Sequence, residues 1–461
     1  MKMLDEPPVA DGLPAPRRWL AAGVIWLAMA ITVMDGQIAN IALPVIAREF
    51  ATTPTISLWV ILIYQLAIVC SILTLAAIGE IGGYRRVYLV GLVVFVLASC
   101  GCAASRSITE LIVWRLLQGL GAAAIMSINA AMVRFTFPAR HLGQAFGINA
   151  LVIAISAMAA PAIAGVVLAV VTWRWLFGIN LVFGVLALIL GWHALPDARG
   201  RQSRLDKASA LLTAGAMAGL FGLCAIGLER GDALLVSLGL AVFLVLAILL
   251  YRRARKQAQP LLPVDLIGQP TLRRAYMASI CNFAAQTLLL VALPFYLHNG
   301  FGYGLLATGL TVAAIPLGLC LAAPLAGRWA DSATKHNPGG IGLLLATSGL
   351  LALSLAPGGK PIALALAGLV CGVGFGLFQA PNNRTMIASA PTHRSGAAAG
   401  MLALSRLCGQ ITGVMTAGLL LRNLPATSSR FSLAAAAIAS AGAAIAQRRR
   451  AHYRPIDVIS E

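Results

Sequence analysis

Residues 19–45 read WLAAGVIWLAMAITVMDGQIANIALPV, and the only charge among them is Asp35. Roughly twenty apolar residues cross a bilayer as a helix, so this stretch is long enough to span with some tilt. It is also too long for the core of a secretory signal, and no convincing cleavage site follows it. The polar lead-in ends in Arg17-Arg18, the kind of basic flank that holds a helix end on the cytoplasmic side. The stretch therefore reads as a first membrane span carrying one acid.

Thirteen similar stretches follow: Ile56–Gly79, Val87–Ala104, Ile108–Val133, Leu142–Val171, Trp175–Leu195, Ala208–Leu228, Ala233–Leu250, Ala275–Leu297, Leu306–Ala326, Ile341–Ala356, Ile362–Asn382, Ala397–Leu421 and Phe431–Ala446. The eleventh and fourteenth spans are the shortest. Composition agrees. Only 11% of the 461 residues are charged, against roughly a quarter in soluble domains, so most of the surface does not meet water. The eight cysteines lie inside apolar runs without CxxC or nearby histidines. They read as buried small residues, not as a disulfide framework or zinc site. A net charge of +19 would point to nucleic acid in a soluble chain. Here the bases flank apolar runs, which is the membrane pattern, and no nucleic-acid partner is expected.

Charge placement tests the count. With the N-terminus inside and fourteen alternating spans, twenty-five of the thirty-four Lys and Arg fall on the cytoplasmic side. Seven fall outside, and Arg115 and Arg406 lie within spans. A missed or extra helix would reverse the alternation beyond it and erase that bias. Both termini are therefore expected in the cytoplasm. The expected organisation is a tail over 1–18, a first six-helix bundle over 19–200, and an inserted helix pair over 201–251. A basic loop follows over 252–274, then a second six-helix bundle over 275–447 and a tail over 448–461. Span 2 runs into AAIGEIGGYRR and span 10 into PLAGRWADSATKH. Both place an acid and bases at the cytoplasmic end of an apolar helix. This faint repeat points to parallel halves, a transporter feature. Ser107 and Glu110 form a capping-box pattern that opens span 4.

Charged residues inside a membrane are expensive and face a cavity or a partner. Asp35 is the only deep acid, and Arg115 and Arg406 are the only deep bases. Helical rise puts Asp35 about 15 Å from the outer end of span 1 and Arg115 about 12 Å from that of span 4. At matching depth they are expected to face each other, either as a structural ion pair or as a proton switch. Arg406 has no acid in its half, so nearby amides (Gln379, Asn382, Asn383, Gln410) or an anionic substrate group must meet it. Gln37, Asn40, Tyr64, Gln65, Gln118, Ser127, Asn149, Asn282 and Gln286 complete the candidate cavity lining, with interhelical hydrogen bonding as the alternative use. Asn149 and Ser156 share one helix face.

These residues carry a family resemblance. MDGQIANIALPVI (34–46) and WRLLQGLGAAAIM (114–126) are similar to the span 1 and span 4 signatures of the major facilitator superfamily, specifically its fourteen-span drug:proton antiporters. The loop after span 2 matches that family's gating motif in part, through Glu80, Gly83, Arg85 and Arg86. Asp331 stands at the corresponding place in the second half. Ala160-Pro161 and Ala164-Gly165 stand where the span 5 antiporter motif has Gly-Pro and Gly-Gly. WRWLFGIN (173–180), FQAPNNRTM and SRLCGQITG resemble further segments of the family.

The resemblance implies an all-α major facilitator fold of two six-helix bundles plus two inserted helices. It assigns Asp35 and Arg115 to proton coupling, Glu80, Gly83, Arg85, Arg86 and Asp331 to a cytoplasmic gate, and Pro161 and Gly165 to helix packing. The implied function is proton-coupled efflux of small amphipathic or toxic compounds by alternating access. The alternatives are transport of an organic anion or metabolite and, in another class, a non-transporting receptor or scaffold. An enzyme is not expected, because there is no HExxH, no paired acids and no nucleophile motif. The expected partners are a small-molecule substrate, protons and the lipid bilayer. The chain is expected to be a monomer in a bacterial cytoplasmic (inner) membrane, without metal or cofactor.

Overall fold

The computed structural model describes residues 12–138, 141–197, 206–257, 264–331, 338–355, 360–389, 395–423 and 434–443. The expected C-terminal tail, the first eleven residues and positions 258–263 of the basic loop lie outside the described residues. Every described element is helical, as a bilayer demands, because a helix satisfies its own backbone donors and acceptors where water is absent.

The first half comprises α1 (Ala15–Glu49), α2 (Pro54–Gly82), α3 (Tyr84–Ala104), α4 (Ile108–Thr136), α5 (Leu142–Val170) and α6 (Arg174–Ala194). Next come α7 (Lys207–Arg230, with a π-helical stretch at Ala218–Leu223) and α8 (Ala233–Ala254). The second half comprises α9 (Pro270–Phe295, continued by a π turn at Tyr296–Gly300), α10 (Leu305–Asp331), α11 (Pro338–Leu355), α12 (Pro361–Ala388), α13 (Ser395–Asn423) and α14 (Ala434–Ala443). Among the described residues, twelve helices are long and apolar enough to cross a membrane. The exceptions are α11 and α14, the two segments that were also shortest in sequence.

Local chemistry sets the boundaries. Ser107 caps α4 by accepting from the Glu110 N–H at 3.1 Å, while the Glu110 carboxylate accepts from Arg106 N–H at 2.9 Å. The expected reciprocal box is thus displaced by one residue, since its return bond goes to the residue before the cap. Asp206 caps α7 and also accepts from Arg253 at the end of α8, which closes that hairpin. The Arg253 hydrogen bond holds the Asp206 carboxyl below its ordinary value. Its contribution to stability is therefore in place above about pH 4 and fades only as pH falls through the lowered native value. Gly83 sits at φ 97° between α2 and α3, a conformation that a side chain resists.

The two halves pack by one scheme. In the first, α4 packs on α2 and α3, α1 on α5 and α6, and α3 on α6. In the second, α12 packs on α10 and α11, and α9 on α13. Ser440 of α14 donates to the Leu343 carbonyl of α11 at 3.2 Å, completing the match to α3 and α6. The tripeptide Ala-Leu-Pro recurs at 42–44 in α1 and 292–294 in α9, and puts a proline inside both helices. The halves meet through α5 with α10 and α2 with α13.

The α5–α10 seam is a backbone-to-backbone contact. A Cβ on Gly309 would lie 2.7 Å from the Pro161 carbonyl and 2.8 Å from Gly165 Cα. Pro161, which lacks an N–H and clashes with the preceding turn, stands within α5 at this contact. Pro161 and Gly165 therefore lie where the halves touch.

The pair α7–α8 packs on itself and reaches the bundle at α2 and α13, and α8 is the least buried of the long helices. Glu229 of α7 accepts from the Trp59 indole of α2, and Arg422 of α13 donates to the Leu228 carbonyl at 2.6 Å. One end of the pair is thus tied to both halves.

Gly309→Val is expected to lower stability by about 1–3 kcal/mol, the usual cost of overpacking. Gly23, whose Cβ would meet nothing within 4 Å, is the control: Gly23→Ala leaves the unfolding temperature unchanged or slightly raised. Thermal unfolding of the purified variants checks both.

Candidate functional site

Five helices converge on Asp35. From α4, Arg115 Nη1 donates to Asp35 Oδ2 at 2.5 Å, and both side chains are fully buried. Gln118, one turn along α4, donates to Asp35 Oδ1 at 3.1 Å, and Asn180 of α6 donates to the same oxygen at 2.6 Å. The carboxylate thus accepts from three donors on two helices.

The arginine is held as tightly. Its Nε donates to the Val60 carbonyl of α2 at 2.9 Å, and Nη1 also reaches Gln118 Oε1 at 2.6 Å. Its guanidinium carbon lies 4.1 Å from the Tyr64 ring centroid and 5.6 Å from that of Phe177, a cation–π sandwich in a desolvated place. Gln118 is fixed in turn by donating to Ser99 of α3 at 2.8 Å. Tyr64 donates to the Thr32 carbonyl at 3.2 Å. Such saturation is what a buried charge pair needs, because desolvation otherwise exceeds the Coulomb gain. One donor, Arg115 Nη2, is buried without a partner.

Chemically, the cluster has one acid that can exchange a proton and a set of donors whose bonds depend on its charge. Removing that charge would weaken three contacts at once, two to α4 and one to α6.

The remaining candidates fall into groups. In α1, Asn40 donates to Gln37 at 3.4 Å. Between α4 and α5, Asn129 donates to Asn149 at 3.2 Å. Gln65 is buried with Oε1 unpartnered, and Ser127 donates back to Ala124 of its own helix. In the second half, Gln379 of α12 donates to Gln286 of α9 at 3.2 Å. Asn282 of α9 is fully buried with neither amide atom partnered. Asn383 and Gln410 are half-buried.

Arg406 departs from its expected amide partners. Among the described residues no hydrogen bond or ion pair reaches it, and its Nε is buried and unpartnered. Gln379 is bound to Gln286 instead, and Asn382 donates to the Ala275 carbonyl at 3.2 Å.

At the α2–α3 turn, Glu80 and Arg86 are exposed, and Arg85 donates to the Trp192 carbonyl of α6. Asp331 closes α10, and its side chain lies outside the description. Sequence reasoning missed Asn180, Ser99, Phe177 and the Val60 carbonyl. Asn180 had a signal, since it ends the WRWLFGIN segment. The others are ordinary residues that only packing brings to the pair.

The Major Facilitator Superfamily profile matches residues 25–414. The transporter YebQ of Escherichia coli (strain K12) is 42% identical over 93% of this chain and 94% of its own length. The riboflavin transporter RibZ of Clostridioides difficile (strain 630) is 29% identical over 85% of each chain. The multidrug resistance protein Stp of Mycobacterium tuberculosis (strain ATCC 25618 / H37Rv) is 30% identical over 85% of this chain and 74% of its own. The crystal structure of a POT family transporter, at 14% identity, superposes with a TM-score of 0.69 over 94% of this chain and 96% of that one. Two halves packed by one scheme, joined at α5–α10 and α2–α13, agree with that profile over most of the chain. The chain belongs to the Major Facilitator Superfamily, as a multi-pass membrane transporter and not an enzyme.

Proposed function

We propose that the chain is a proton-coupled exporter of small amphipathic or toxic compounds, of the fourteen-span drug:proton antiporter type. The observation that carries this reading is the buried Asp35–Arg115 pair with its three-donor carboxylate. Proton uptake at Asp35 releases Arg115, Gln118 and Asn180 together, and proton loss restores them. Each proton passage is thereby linked to the packing of α1 against α4 and α6. The multidrug resistance relative supports efflux as the direction of transport.

In this reading all fourteen helices span, including the short α11 and α14, and the positive-inside bias puts both termini in the cytoplasm. The membrane is the bacterial inner membrane and the working unit is a monomer. The bundles 19–200 and 275–447 rock against each other around the pair 201–251. Pro161 and Gly165 serve at the α5–α10 seam, where close backbone contact allows the helices to pivot. Glu80, Gly83, Arg85, Arg86 and Asp331 form the cytoplasmic gate. The polar residues of α1, α2, α4, α5, α9, α12 and α13 line the substrate route.

A second reading, proton-coupled transport of an organic anion or metabolite, has its own support. Arg406 is a base without an acid, and one relative is a riboflavin transporter.

Reconstituted in vesicles, Asp35→Asn should lose accumulation driven by a pH gradient while inserting normally and keeping downhill exchange. Uphill transport by this variant would remove Asp35 from the coupling step. Stability supplies an independent check. Arg115→Met alone is expected to cost about 3–5 kcal/mol, because it strands a buried carboxylate. Adding Asp35→Leu should restore part of that loss, and a thermal-unfolding double-mutant cycle reads the difference.

A further inference from the structure

The two halves differ in how they treat a buried base. In the first half Arg115 has a carboxylate, an amide, a carbonyl and an aromatic face. In the second half Arg406 has none of these among the described residues, and its Nε is buried and unpartnered. No acid is hidden in the rest of that half, since Asp331 is the only Asp or Glu between residues 266 and 456. Asp331 ends α10, at the membrane side where α13 begins, whereas Arg406 lies eleven residues into α13, about 16 Å along the axis. Among the described residues no acid neutralises this guanidinium.

The surroundings of Arg406 form a polar layer. Ser405 donates to Ser279 at 3.3 Å, and a Cβ on Gly413 would lie 2.6 Å from the Ala284 carbonyl, so α9 and α13 run parallel in register. Those contacts set the Arg406 level between residues 277 and 280 of α9, so Asn282 lies two to five residues farther, about 3–8 Å along the axis. Asn282 is fully buried, and both its amide oxygen and amide nitrogen are unpartnered. One turn beyond Asn282, Gln286 accepts from Gln379 of α12.

Helical spacing sets the direction. Met415 and Leu419 line one cavity with Ala225 and Leu228 of α7, and Arg406 falls on the opposite flank of α13, away from the inserted pair. Arg406 is half-buried as a residue while its Nε is enclosed.

We propose that Arg406 and Asn282 form an anion subsite and that the transported compound carries an oxyanion, most simply a carboxylate, on an otherwise apolar body. This deepens the exporter reading and rests on its substrate route through the bundle. A guanidinium fork matches a carboxylate with two parallel hydrogen bonds, and Asn282 supplies a donor and an acceptor for a neighbouring polar group. The first half strengthens the assignment. Asp35, the only deep acid, already accepts from three protein donors and is fully buried, so it has no free face for an organic cation.

The test uses the full chain in detergent with two probes of one shape and opposite charge, 1-naphthoate and 1-naphthylmethylammonium. Without ligand, Arg406→Leu is expected to unfold a few degrees above wild type, because it removes an uncompensated charge without breaking a bond. Naphthoate should raise the wild-type unfolding temperature and the ammonium probe should not. The naphthoate midpoint should weaken at least tenfold in Arg406→Leu and only partly in Arg406→Lys. The proposal is overturned by a ligand-free Arg406→Leu less stable than wild type, by a wild type indifferent to naphthoate, or by equal stabilisation from both probes. Selective naphthoate stabilisation without flux of either probe in vesicles under a pH gradient would count against the exporter reading and leave the subsite standing.

Discussion

The interaction on which the first half depends is the contact between a carboxylate and a guanidinium, both withdrawn from solvent. Leaving either charge unpaired in the bilayer interior would cost several kcal/mol, so the surrounding helices are organised to prevent it. Asn180 brings α6 to the acid, Val60 and Tyr64 bring α2 to the base, and Gln118 and Ser99 tie α3 and α4 into the same set. The same network ties α1 to α4 and α6 through a single carboxylate.

Around that centre the architecture is held by proximity more than by polar bonds. Lipid gives helices little hydrophobic reason to associate, so close packing of small residues does the work. The Gly165–Gly309 approach at α5–α10 is the clearest case, because it lets two backbones touch between the halves. Contacts of this kind contain no long side chains that must interdigitate and separate. The inserted pair is attached differently, through Glu229 to Trp59 and through Arg422 to a backbone carbonyl, so each half holds the same end of α7 by a polar bond.

The halves share a packing scheme but not a charge balance. The first encloses a neutral pair. The second encloses a base with an unsatisfied amide in the same layer, and its only acid stands at a helix end. In a repeat-built fold the packing can be inherited by both copies while the polar content diverges, because packing depends on small residues spread along every helix and charge depends on one or two positions.

Much of this was legible in the amino-acid order alone. Long apolar runs dictate helices, because no other open structure satisfies its backbone in lipid. The weakness of α11 and α14 was visible as short runs. Asp35 and Arg115 stood out because charge is rare in such runs, and helical rise placed them at one depth. Tertiary structure decided what depth could not, namely azimuth and neighbours. Ser99 and the Val60 carbonyl are common groups that nothing in their local sequence sets apart, and only the crossing of five helices brings them to the pair. The same limit applied to Arg406. Sequence offered it four amides, but Gln379 and Asn382 of α12 bond to α9 instead, because helix rotation, which sequence spacing does not determine, points them there.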